Sequence, residues 1–231
     1  MSKSNKKTNT NKSSSSFFWI VVIIAVALLA LIIFLSKSSD KAEKKEAFNF
    51  DYSNQPFEGD AKAPVEIVEF GDYKCPVCKQ FNESVYPVIQ KQFVDTGKAK
   101  FYFMNFPFIN TDSHRSAEFA ETVYQELGNE TFWKFHHLLY NKQPEDEKYE
   151  KVDYFKLDFL KKTLAEISSD EDVKKVEKAF NNKEYKEAIN KDKSYVTDLG
   201  IDSTPTLFIN GKEFTGSSYE EFIQQVEDAT K

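Results

Sequence analysis

Only two cysteines occur in 231 residues, and they form the short motif Cys75-Pro76-Val77-Cys78. Upstream, Pro64 to Phe70 is short, β-branched and mostly apolar, the pattern of a strand covered on both faces, and Gly71-Asp72 ends it with a turn. Downstream, Phe81, Val85, Val88 and Ile89 recur at the spacing of a helix with one buried face. Pro76 then falls in the first helical turn, where its missing N–H is not needed, and Cys75 stands at the helix start. The pair is therefore expected at a strand-to-helix junction.

That placement has a chemical consequence. A helix N-terminus carries unpaired N–H groups and the positive end of the macrodipole, both of which stabilise a thiolate. Cys75 is expected to be the nucleophile, with its sulfur reaching solvent at the loop edge and Lys74 adding a nearby positive charge. Cys78, one turn in, points to the core and attacks a disulfide already formed on Cys75, the division of labour in thiol–disulfide exchange. Two other uses of the pair stand beside this one. A zinc site would need His114, His136 or His137, because a structural zinc takes four N or S ligands and no second cysteine pair exists. A structural disulfide across so short a loop removes little chain entropy. No metal is expected, the three histidines read as helix-surface or core-edge residues, and acid-rich Glu145, Asp146 and Glu147 lack EF-hand spacing.

Residues 1–16 are polar after Met1 and are expected to be disordered. Phe17 to Leu35 is an uncharged apolar run of 19 residues, which at ~1.5 Å per residue roughly spans a hydrocarbon core of about 30 Å. It reads as a transmembrane signal anchor with Trp19 near one interface. A cleaved signal peptide would have an apolar core of ~7–15 residues and a small-residue cleavage site, which Phe34-Leu35-Ser36-Lys37 does not offer. Lysines tie on the two flanks, so the positive-inside rule leaves orientation open. A lone motif-placed cysteine pair suits an oxidising space, and on that ground the C-terminal part is expected outside the membrane. Residues 36–55 read as a flexible stalk. From residue 46 onward 23 Lys and Arg face 35 Asp and Glu, a net acidity that argues against nucleic acid and anionic lipid as partners.

The rest alternates between two periods. Ala99 to Phe106 is an aromatic strand closed by Pro107. From about 112 to 200 the pattern is helical almost throughout, with a stop at Gly128, an N-cap at Ser169 and an end at Gly200. Pro205 to Ile209 is strand-like, Asn210-Gly211 is a hairpin turn, and Ser218 with Glu221 forms a capping box on a final amphipathic helix. The charge runs 142–151 and 168–178 read as solvated faces. The order is β-α-β, a helical block, then β-β-α: an α/β fold carrying an inserted helical subdomain.

Cys-Pro-X-Cys after a strand, the helical insertion, and Ser203-Thr204-Pro205-Thr206 leading into a hairpin together resemble the DsbA-like branch of the thioredoxin superfamily, in particular its membrane-anchored thiol–disulfide oxidoreductases from single-membrane bacteria. Gly59-Asp60-Ala61-Lys62-Ala63-Pro64 and the run through Cys75-Pro76 are close to that group's entry sequence, and the resemblance covers about residues 56–229. It implies a thioredoxin-like fold over 56–231. It implies that Cys75 forms the mixed disulfide with substrate, that Cys78 resolves it, and that the redox-active Cys75–Cys78 disulfide needs no cofactor. It implies a cis Thr204–Pro205 bond facing the site, Thr204 offering its backbone to a substrate strand beside Pro76 and Val77, and Glu69 as the buried acid that assists proton transfer. Expected partners are reduced secreted or cell-surface proteins and a membrane redox protein that restores the disulfide. One departure matters. Strongly oxidising members carry His where this chain has Val77, so the poise is expected between that of DsbA, at about −120 mV, and that of thioredoxin, at about −270 mV. A reductase or isomerase, and a non-catalytic chaperone with the same groove, are the alternatives.

Overall fold

The computed structural model describes residues 19–20, 22–24, 26 and 46–231. The chain divides into two units, Met1–Glu46 and Ala47–Lys231. In the first, residues 19–20, 22–24 and 26 are helical, and Trp19, Ile20, Ile23, Ile24 and Val26 are exposed. Among the described residues no helix is long and apolar enough to cross a membrane. Most of the expected span 17–35, the tail 1–16 and the stalk residues 36–45 lie outside them.

The second unit is built on a five-stranded mixed sheet. Its strands are β1 (Phe57–Glu58), β2 (Val65–Gly71), β3 (Ala99–Asn105), β4 (Thr206–Ile209) and β5 (Lys212–Glu213), in the spatial order β1-β3-β2-β4-β5. Central β2 runs parallel to β3 and antiparallel to β4. Because β2 is covered on both faces it reads as a continuous apolar run rather than an alternation. Val65 and Ile67 face the larger core, Val68 and Phe70 the smaller one. Asn210 and Gly211 take φ of 48° and 74°, which lets a two-residue turn join β4 to β5.

Helix α1 follows β2 and runs over 76–94 in four segments: Pro76–Gln80, Phe81–Val85, Tyr86–Ile89 and Gln90–Val94, the second and fourth of π type. Pro87 follows a π turn, in which the Tyr86 N–H donates to the Phe81 carbonyl. The insertion holds α2 (Thr111–Leu127), α3 (Asn129–Asn141), a 3-10 turn (Glu147–Lys151), α4 (Leu157–Ala165), α5 (Asp170–Asn182) and α6 (Lys186–Leu199). It matches the expected block of 112–200. The expected punctuation holds at Gly128, Gly200 and Ser169, whose capping box with Asp172 is formed. Final helix α7 (Tyr219–Ala229) starts at Ser218, but the Glu221 carboxylate accepts from the Ser217 N–H rather than closing a box on Ser218.

Two boundaries differ from the sequence reading. The flexible stalk does not extend to residue 55: Phe50 and Gln55 are buried, and Phe48, Phe50 and Tyr52 pack on Phe70, Tyr102 and Phe208 across the outer face of the sheet. The Phe48 N–H donates to the Gly211 carbonyl at 2.8 Å, and a Cβ at Gly211 would meet that same backbone at 2.0 Å. The run 142–151 is not simply a solvated face either, since Gln143 and Tyr149 are buried beneath the cysteine loop.

Candidate active site

Sheet order decides which distant segments meet. Phe70 pairs with Thr206, so the loop entering β4 lies beside the loop leaving β2. The second of these loops carries the cysteines, and the first carries Thr204–Pro205, which is cis as expected.

Cys75 is the N-cap of α1, with Pro76 at the first helical position. Its sulfur accepts from the Cys78 N–H at 3.4 Å, and its thiol donates to the Thr204 carbonyl at 3.4 Å. The thiol pKa is drawn down from 9.0 to about 7, first by a hydrogen bond from the Cys78 thiol and then, against the cost of burial, by the Thr204 side chain and the Cys78 and Val77 N–H groups. Cys78 is fully buried, and burial pushes its thiol well above the usual value. Both cysteines are free thiols. The two sulfurs thus differ sharply in acidity, which is what a nucleophile and a protonated partner require.

Solvent access at Cys75 is narrower than the sequence suggests. The residue is only 5% exposed, covered by the cis-proline loop, whereas Val77 is 47% exposed. Beside them lies a groove of about 490 Å³ lined by Val77, Thr204, Pro205, Phe214 and Tyr219 among others. Its mixed lining, apolar at Val77, Leu207 and Phe214 and polar at Ser203, Thr206 and Ser217, together with the backbone of the proline loop, suits an extended peptide.

Glu69 lies on β2 opposite Phe103 and Leu207, on the face that carries α1. It is 1% exposed, and burial, with the Cys75 thiolate nearby, raises its pKa well above the carboxylate range. A carboxyl group kept neutral beside two thiols can give and take a proton.

Lys74 does not act as expected. Its ammonium is fully buried and turned away from the sulfur, bonded to Asp112 at 2.9 Å and to the carbonyls of Tyr149 and Val152 at 2.9 and 2.6 Å. Asp112 also accepts from the Tyr154 and Phe155 N–H groups, and the Tyr149 hydroxyl donates back to the Lys74 carbonyl. Gln143 completes the clasp by donating to the carbonyls of Tyr73 and Cys75 at 2.8 and 3.2 Å. The insertion therefore holds the cysteine loop rigidly. No local motif marks Asp112, Gln143 or Tyr149, since each reaches the loop from tens of residues away.

The histidines stay apart from this chemistry. His136 is buried against the Tyr73 hydroxyl at 3.0 Å and is kept neutral by burial, and His137 bonds Asn82 at 2.6 Å. Among the described residues no group of three or more His, Cys, Asp or Glu could hold a metal ion.

A mixed sheet of this order with a cysteine pair at the head of the helix after β2, facing a cis-proline loop, defines a thioredoxin-like thiol–disulfide oxidoreductase. Known proteins agree. The thioredoxin family model matches residues 52–228. The probable disulfide bond formation protein D of Bacillus anthracis is 35% identical over 171 residues, 73% of this chain and 76% of the relative. The crystal structure of oxidised BdbD from Bacillus subtilis superposes with a TM-score of 0.72 at 32% identity, covering 80% of this chain and 97% of that one. Chlamydia trachomatis DsbA shares the fold, with a TM-score of 0.65 at 24% identity over 78% and 93% of the two chains. The chain belongs to the thioredoxin family, within its DsbA-like thiol–disulfide oxidoreductases.

Proposed function

We propose that the protein is a membrane-anchored dithiol oxidase that passes the Cys75–Cys78 disulfide to secreted or cell-surface proteins outside the membrane. The observation that carries this reading is the Cys75 sulfur at a helix N-terminus, its pKa drawn to about 7, in contact with Thr204 of the cis-proline loop. A substrate thiolate attacks the Cys75 sulfur, Cys78 leaves as a thiolate and is protonated with the help of Glu69, and a second substrate thiol then displaces Cys75. Both electrons from the new substrate disulfide come to rest on the cysteine pair. The acidity of Cys75 favours this direction, because a stabilised thiolate is a good leaving group. The substrate chain lies along Pro76, Val77 and the backbone of Thr204–Pro205 beside the groove.

Anchoring rests on the apolar run 17–35, and the outward placement on the wish of such a pair for an oxidising space. Relatives named for disulfide bond formation support the oxidative direction. The cycle then requires a membrane redox protein to restore the disulfide. The test is oxidation of a reduced dithiol peptide: the wild-type chain forms the peptide disulfide stoichiometrically and Cys75→Ser does not. A Cys75→Ser variant that supports client folding as well as wild type would instead make the domain a chaperone.

A further inference from the structure

Tyr140, on α3 of the insertion, is fully buried and its hydroxyl has no hydrogen-bond partner. The same holds for Oε1 of Glu69. Buried polar atoms are rarely left unpaired in folded proteins, and those that are commonly mark a catalytic role or an internal water. The two lie over one stretch of sheet. Glu69 and Gly71 are two residues apart on β2 and so share a face, with about 7 Å between them. A Cβ at Gly71 would stand 3.0 Å from the Tyr140 hydroxyl and 2.5 Å from the Phe103 ring, so the glycine leaves the phenol its place. The Tyr140 ring packs edge-on to Phe103, 6.4 Å between centroids, and Phe103 is the strand partner of Glu69.

We propose that Tyr140 is a positioning residue for proton transfer at Cys78: its hydroxyl donates a hydrogen bond, directly or across one internal water, to the negative charge that Cys78 and Glu69 share during exchange. This rests on the reading of Cys75 and Cys78 as an exchanging pair. When an incoming thiolate breaks the Cys75–Cys78 bond, the electron pair of that bond leaves on Cys78. The Glu69 carboxyl then hands its proton to the Cys78 sulfur, becomes a carboxylate, and recovers a proton from solvent. Among the described residues the buried ammonium groups beside the cysteine loop are engaged elsewhere, Lys74 with Asp112 and the carbonyls of Tyr149 and Val152, and Lys79 with Glu145 and the Gln143 carbonyl. A phenol donor is the group at hand to stabilise the transient anion. Burial and the charges of Cys78 and Glu69 hold the phenol well above its usual pKa, so it stays a donor throughout.

The test uses the full-length chain in detergent, oxidised and then mixed with reduced glutathione, whose thiolate opens the disulfide and expels Cys78. Tyr140→Phe should slow this step about tenfold. It should also raise the pH at which Cys78 resolves the glutathione mixed disulfide at half its maximal rate, and leave the Cys75 alkylation midpoint and the melting temperature unchanged. A variant with wild-type rate and pH profile overturns the proposal. So does a rate loss that comes with a lowered melting temperature and an altered Cys75 titration, which would make Tyr140 merely structural. A wild-type chain inert to glutathione overturns the exchange reading together with this one, whereas a reactive wild type with an unaltered variant overturns this one alone.

Discussion

The Cys75 thiol and the Thr204 carbonyl stand 3.4 Å apart although 129 residues separate them. Strand pairing, not local sequence, makes that contact: β2 and β4 are neighbours, and the whole helical insertion is looped out between them. The arrangement leaves one acidic sulfur under a backbone acceptor and one buried, protonated sulfur behind it.

Cys75 should titrate near neutrality. Its folded pKa lies below that of a free thiol, so the thiolate contribution to stability of the reduced protein is complete above pH 9 and fades as pH falls through about 7. Alkylation of the reduced protein should therefore rise with a midpoint near pH 7. In Cys78→Ala, which removes the foremost hydrogen bond to the thiolate, the midpoint should move up.

Val77 tunes that acidity by what it lacks. It is exposed on the first turn of α1 and has neither charge nor side-chain donor. Val77→His places an imidazole beside the thiolate, and a surface exchange of this kind typically changes stability by under about 0.5 kcal/mol. The variant should show a lower Cys75 pKa and a less negative reduction potential, both read by equilibration with glutathione. An unchanged potential would refute this account of the tuning.

The clasp around Lys74 can be tested by removing its carboxylate. Asp112→Ala would strand a buried ammonium and release the Tyr154 and Phe155 N–H groups, a loss of about 3–5 kcal/mol by analogy with broken buried ion pairs. Denaturant unfolding of the reduced protein measures it. A loss below about 1 kcal/mol would mean that the lysine finds water and that the clasp is not rigid.

The proposed anchor over residues 17–35 predicts a topology. In intact cells, external protease should digest the domain from residue 47 onward, and removal of residues 1–35 should shift the protein from the membrane to the soluble fraction. A domain protected from external protease would place it on the inner side.

How much of this was legible beforehand follows from how far each signal reaches along the chain. The Cys-Pro-Val-Cys junction, the Asn210-Gly211 turn, the Ser169 cap and the end at Gly200 are encoded within a few residues, and they appear where the pattern puts them. The edge strand Phe57–Glu58 is two residues long, too short to show a period. Alternating Phe48, Phe50 and Tyr52 did carry a strand-like signal, masked by the charged stretch before them. Lys74 looked like a charge beside the thiol because sequence shows proximity and not direction. Its true partner, Asp112, lies 38 residues away. Gln143 and Tyr140 had no motif at all, since only the folded insertion brings them over the cysteine loop and β2.

The most direct measurement is the equilibrium between the reduced and oxidised cysteine pair in defined glutathione buffers. A potential between about −270 and −120 mV, with the disulfide passing to a reduced peptide, is what an acidic Cys75 without a neighbouring histidine predicts. A potential at or below about −270 mV, with electrons running from the protein to disulfide substrates, would contradict the oxidase reading and make the domain a reductant.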